Sequence, residues 1–120
     1  MIRMFTSPTQ VLGKEGEQVA VKWLEKQGYR VVDRNVNNIF GEIDIIAQKG
    51  HTCYFFEVKT GRQGSWFNPA ENLTQVKIRK FLISCEHYAL VHTIKEYHAQ
   101  GIVVLTSEGR EPIVEIFDIA

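Results

Sequence analysis

Helical spacing governs the beginning of this chain, and strict alternation governs its middle. Leu12, Gly16, Val19, Ala20, Trp23 and Leu24 recur between about Pro8 and Gln27 at intervals that form one buried stripe on a helix. Ser7 suits the N-cap, Pro8 the first helical position and Gly28 the stop. Glu17 falls at the edge of the apolar stripe, not on the solvent side. Tyr29 to about Asn35 reads as a short strand, and the asparagine-rich run Arg34 to Asn38 reads as a turn. Two alternating segments follow, about Glu42–Lys49 and Thr52–Thr60, with Gly50-His51 between them. Glycine at the first central position suits a type II′ hairpin turn. Ile43, Ile45 and Ala47 are expected on one face of the first strand, opposite Glu42, Asp44 and Ile46. On the second strand Phe56 and Val58 oppose Cys53, Phe55, Glu57 and Lys59.

Gly61 to about Pro69 reads as a loop. A helix from about Ala70 or Leu73 to about Tyr88 is expected to bury Leu73, Val76, Phe81, Leu82 and Cys85. The stretch His92–Gln100 fits neither period. Gly101–Thr106 and Ile113–Phe117 read as closing strands around a turn at Ser107–Pro112. The order α-β-β-β-α-β-β predicts an α/β fold, a mixed central β-sheet flanked by helices. At 120 residues the chain has the length of a single domain.

If Gly50 and His51 close the hairpin, Asp44 lies directly opposite Glu57, and Glu42 opposite Lys59. Like charges facing each other across a ladder repel, whereas a divalent cation between them makes the pairing favourable. A hard cation such as Mg²⁺ binds through one or two carboxylates, a carbonyl and waters. Asp44, Glu57 and the Val58 carbonyl can supply those ligands. Lys59 lies two residues beyond Glu57, roughly 7 Å along the strand, where an ammonium can position water or stabilise charge on a phosphate. Glu17 can add a further carboxylate. This set suits metal-assisted hydrolysis of a phosphodiester. A competing account is an exposed sheet face with a Glu42–Lys59 ion pair and solvated carboxylates. Against it, Ile46, Cys53 and Phe55 share that face, and charges among apolar residues cost desolvation unless partnered.

Composition changes this picture little. Hydrophobic residues make up 44% and charged residues 23%, ordinary values for a globular protein. No apolar run approaches a membrane span, and the N-terminus does not lead into a signal-peptide core. Cys53 and Cys85 match no metal-spacing motif, and reduced cysteines in a cytoplasmic protein are expected. His51, His87, His92 and His98 lack ligand-like spacing. Fourteen basic and fourteen acidic residues cancel, so net charge does not announce a nucleic-acid binder. The distribution is uneven, however. Lys59, Arg62, Lys77, Arg79 and Lys80 face only Glu71 between positions 59 and 80. That segment suits either phosphate contacts or a solvated helix face. Trp66 and Phe67 beside it suit either base stacking or covering the edge of the core.

Gly13-x-x-Gly16-Glu17, Gly28-Tyr29, Arg34-Asn35, Gly41-Glu42-Ile43-Asp44-Ile45-Ile46-Ala47 and Phe56-Glu57-Val58-Lys59-Thr60 resemble, in order and spacing, the YraN-like family. That family is a bacterial branch of the PD-(D/E)XK nuclease superfamily, similar to archaeal Holliday junction resolvases. The resemblance runs from about Gly13 to Phe81, some three-fifths of the chain. It implies a restriction-endonuclease-like sheet with the site where its middle strands diverge, and Mg²⁺ or Mn²⁺ as cofactor. It makes Asp44 the motif aspartate, Glu57 and Lys59 the (D/E)XK pair, Glu17 the acid from the first helix and Lys77 a family lysine. Glu42 belongs to the motif too, in either a catalytic or a structural role. Gly61 interrupts the usual lysine-threonine-arginine run, and positions 92–120 match poorly.

The function implied is endonucleolytic hydrolysis of DNA, branched or structured DNA included, with a homodimer expected on a symmetric substrate. The alternative is a non-catalytic nucleic-acid-binding or assembly module, which the zero net charge favours.

Overall fold

The computed structural model describes residues 8–64 and 73–120, with side chains from Gly13 onward in the first segment. Among the described residues, helix α1 (Pro8–Lys26) precedes strands β1 (Arg30–Asn38), β2 (Gly41–Lys49) and β3 (Thr52–Arg62). Helix α2 (Gln75–Val91) and strands β4 (Tyr97–Ser107) and β5 (Arg110–Asp118) follow. The expected order α-β-β-β-α-β-β is the observed one. The sheet runs β1-β2-β3-β4-β5; β3 and β4 are parallel and the other neighbours antiparallel. The parallel pair is the one joined through α2, because parallel strands need a long crossover.

Each face of the sheet is covered by one helix. Ala20, Val21 and Leu24 of α1 pack on Ile45, Ala47, Phe56, Val58, Ile102 and Val104. Phe81, Cys85 and Ala89 of α2 pack on Ile43, Ile46, Phe55 and Ala99. Phe55 and Phe56 are adjacent, fully buried and on opposite faces, which is why β3 reads as nearly continuous apolar sequence. Each such side chain contributes about 1.5–3 kcal/mol of transfer free energy. Helix α1 stops as expected: the Gly28 N–H donates to Glu25 O and the Tyr29 N–H to Leu24 O, the paired bonds of a Schellman end.

Several expectations need correction. Arg34–Asn38 is strand, not turn; the turn is Ile39-Phe40, where Asn38 Oδ1 accepts the Phe40 and Gly41 amides. Ile43 joins Ile46 on the α2 face instead of Ile45 and Ala47 on the other. The two-residue period breaks in β1 and β2 side by side. Asn35, at φ 51°, adopts a left-handed conformation within β1. Ile43 lies with its partner Val36 on the α2 side.

Helix α2 begins at Gln75 with Thr74 as its N-cap, accepting the Lys77 amide at 3.2 Å. Val76 is exposed, not buried. The unassigned His92–Gln100 stretch contains the start of β4, and β5 begins at Arg110, so Pro112 lies within an edge strand that tolerates it. The Gly50-His51 turn is as expected, with positive φ at Gly50 (64°) and not at His51. Ser7, Trp66, Phe67, Ala70 and Glu71 lie outside the described residues.

Candidate functional site

The β2–β3 ladder follows the register set by its turn from Lys49↔Thr52 to Ile45↔Phe56, and there it ends. Beyond that point β2 stays with β1 down to Gly41, while β3 stays with β4 up to Arg62. The two middle strands therefore part at Asp44 and Glu57. The expected ladder pairs Asp44–Glu57 and Glu42–Lys59 do not form. Instead Asp44 reaches into the gap with its side chain, and Oδ2 accepts the Val58 N–H at 2.7 Å. An extended residue directs its N–H and C=O to the same side, so the Val58 carbonyl faces the same opening.

Glu57 and Lys59 stand on β3 beyond the split. Lys59 Nζ lies 3.3 Å from Glu57 Oε1, with side chains 23% and 21% exposed. Glu17 approaches from α1. Helix and strand press together where Gly16 meets Thr60: a methyl group at Gly16 would overlap Thr60 Cγ2. The left-handed Asn35 lies abreast of Asp44, between the Arg34↔Ile45 and Val36↔Ile43 pairs. With the Asn35 side-chain amide turned so that its nitrogen faces the carboxylates, it donates to Glu17 Oε1 (2.9 Å) and to Glu42 Oε1 (3.3 Å). Asn35 thus ties together two carboxylates that would otherwise repel.

Burial dominates the electrostatics. It pushes the Asp44 carboxyl up to about 7, reinforced by Glu57, Glu17 and Glu42 and opposed by the Val58 N–H. Burial also raises Glu57, against Lys59 and Lys77, and raises Glu17, against Lys14 and Arg34. A cluster of carboxylates that resist ionisation has a strong demand for positive charge. Among the described residues no three His, Cys, Asp or Glu side chains form a ready-made metal cluster. The residues that could hold a hard cation are fewer: Asp44, Glu57 and the Val58 carbonyl, with water supplying the remaining ligands.

The predicted basic residues are placed unequally. Lys77 is exposed in the first turn of α2, one turn before buried Phe81, and acts on Glu57. Arg62 is exposed at the end of β3, five residues beyond Glu57. Lys80 is exposed on the flank of α2, its carbonyl accepting the Ser84 hydroxyl at 2.9 Å. Arg79 lines an outer groove with Ile78, Leu82 and Glu86, away from the carboxylates. Asn35 was missing from the predicted set, although Arg34-Asn35 stands in the motif and asparagine tolerates left-handed backbone. A separate cavity of about 430 Å³ lies at the turn end of the hairpin, lined by Gln48, Cys53, Tyr88 and Ile94 among others, so it is not part of the carboxylate site.

A mixed five-stranded sheet with a helix on each face, and carboxylates gathered where two middle strands part, defines an α/β fold consistent with the restriction-endonuclease-like class. The chain belongs to the uncharacterised protein family UPF0102, whose model matches residues 16–119, and the YraN-like resemblance is thereby borne out. Among its relatives, a UPF0102 protein of Persephonella marina is 39% identical over 110 residues, covering 91% of this chain and 95% of the relative. Another, from Anaeromyxobacter dehalogenans, is 34% identical over 112 residues, covering 92% and 84%. No described helix is long and apolar enough to cross a membrane.

Proposed function

We propose that this protein is a metal-dependent endonuclease that hydrolyses DNA phosphodiester bonds, as the resemblance to the PD-(D/E)XK nucleases implies. The observation that carries the reading is the parting of β2 and β3 at Asp44, which opens the sheet to Asp44, Glu57, the Val58 carbonyl and Lys59 together. Asp44, Glu57 and the Val58 carbonyl would hold Mg²⁺ or Mn²⁺, which supplies Lewis acidity and lowers the pKa of a bound water. The remaining work belongs to the chain. Glu57 holds Lys59 beside the opening, and the Lys59 ammonium hydrogen-bonds a non-bridging phosphate oxygen as negative charge builds there. The attacking water gives its oxygen to phosphorus and one proton to a carboxylate, while the phosphorus–oxygen bond to the sugar of the departing strand end breaks and that oxygen takes a proton from solvent water. Glu17, fixed by Asn35, orients water on the α1 side.

Cleavage of duplex, single-stranded, flap and four-way-junction DNA with Mn²⁺, run beside D44A, tests this. Cleavage that D44A abolishes supports it; equal cleavage by D44A overturns it. The zero net charge favours a second reading, a non-catalytic nucleic-acid-binding module, which predicts binding indifferent to Mg²⁺ and to Asp44.

A further inference from the structure

Beside the carboxylates, on the α1 side of the sheet, lies an open cleft of about 520 Å³ lined by Lys14, Glu15, Gln18, Arg34 and Asn35. It shares a wall with the carboxylate site, because Asn35 lines the cleft and also holds Glu17 and Glu42. Arg34 is half-buried there. One of its terminal nitrogens donates to Gln18 Oε1 at 3.1 Å, whereas its Nε is buried with no hydrogen-bond partner among the described residues. A buried donor left unsatisfied costs about 1–3 kcal/mol, so Arg34, which lines the cleft, has hydrogen-bonding capacity that the described residues do not fill.

Charge indicates what suits that capacity. Both Lys14 and Arg34 act on Glu17, but among the described residues neither makes an ion pair closer than 4 Å; that distance is met by Lys59 and Glu57. The two cations therefore keep donors available. Bound Gln18 Oε1 leaves the Gln18 amide nitrogen as a further donor. A guanidinium fork is the side chain best matched to a tetrahedral oxyanion. Glu15 is the single acid of the lining and is exposed, where water and salt weaken its repulsion.

We propose that this cleft is a phosphate subsite: Arg34, Lys14 and Gln18 bind the backbone phosphate neighbouring the one presented to Asp44, Glu57 and Lys59. The assignment rests on the nuclease reading, and it adds the direction in which the strand leaves the site, along α1 and away from the α2 lysines. Arg34 is then a substrate-binding residue and not only a counter-ion for Glu17.

The test is binding of a duplex oligonucleotide in EDTA, followed across salt concentrations, for wild type, K14Q, R34Q and the exposed control K22Q on the same helix. Losing one phosphate contact weakens binding about five- to tenfold and flattens the log–log salt slope by about 0.9. That is the expected result for K14Q and R34Q, with K22Q unchanged. Lys14 is exposed, so K14Q carries the test if R34Q fails to fold. Unchanged affinity and slope in K14Q and in any folded R34Q overturn the subsite, and leave the nuclease reading standing if D44N abolishes cleavage. Cleavage undiminished in D44N overturns the nuclease reading while the slopes still decide the subsite. Inorganic phosphate that displaces the duplex at equal strength in wild type and K14Q also counts against the cleft. No oligonucleotide binding by wild type overturns the subsite, and the cleavage assay decides the nuclease reading.

Discussion

Asp44 Oδ2 accepts the main-chain N–H of Val58 at 2.7 Å, so a side chain continues the β2–β3 pairing where the backbone of β2 has moved away. One carboxylate thereby closes the ladder and opens the site. The two roles separate by substitution. D44N keeps an acceptor for Val58, whereas D44A leaves that N–H unpaired, at a cost of about 1–3 kcal/mol. Both variants are expected to lose cleavage, and D44A to unfold at lower denaturant than D44N. Equal chemical stability of the two would mean the bond contributes nothing.

Burial holds the Asp44 carboxyl up to about 7 against an ordinary 3.8, and stability follows from the sign of that shift. Between those values the native state keeps a proton that the unfolded chain has released. Stability therefore falls as pH rises through this window, and the loss is complete above about 7. By linkage the loss is on the order of 2–4 kcal/mol. Without divalent metal the protein is expected to melt higher at about pH 5.5 than at about pH 8. Mg²⁺ should reverse this, raising the melting temperature at the higher pH and little at the lower, because it competes with that proton. D44N should weaken both effects, leaving the contributions of Glu57 and Glu17, whose carboxyls burial also raises. Calorimetric scans at the two pH values, with and without Mg²⁺, check each.

Gly16 sets how closely α1 rides on β3. A Cβ there would overlap the Thr60 Cγ2 methyl, so G16A should push the helix, and Glu17 with it, away from the sheet. Overpacking of this kind costs about 1–3 kcal/mol. T60S removes the methyl, and the G16A/T60S double variant should recover part of the loss, with a coupling above about 0.5 kcal/mol in a double-mutant cycle. Strict additivity would place the helix–strand contact elsewhere.

Much of this was legible because local chemistry and global fold agree. Gly50-His51 dictates both turn type and register, and that register holds as far as Ile45↔Phe56. The hairpin arithmetic could not show where the ladder ends, because its end depends on which neighbour each strand keeps. β2 follows β1 and β3 follows β4, and both are tertiary choices. Asn35 misled the reading for a related reason. Asparagine's tolerance of left-handed backbone suggested a turn over Arg34–Asn38, whereas at Asn35 that conformation occurs inside a strand. Of the basic residues, Lys77 and Arg79 differ by two positions, enough to place them on opposite sides of α2. Charge counting along the sequence treats them alike. The cations of the α1 cleft, Lys14 and Arg34, are twenty positions apart and meet only in the fold.

Lys59 and Glu57 form a close pair at the rim of the opening. Lys59 is the leading counterweight to the burial that raises the Glu57 carboxyl. Replacing it with methionine keeps the aliphatic stem and removes the ammonium. Two effects should follow. The rate falls by about 10²–10³, the usual loss when one donor to a developing oxyanion is removed. Glu57 also becomes harder to ionise, so the acidic limb of the rate profile moves to higher pH. K59R, which keeps the charge but changes donor geometry, should recover the position of that limb without the full rate. Single-turnover cleavage across the pH range separates the effects, because a lysine acting only through phosphate contact would lower the rate and leave the limb where it was.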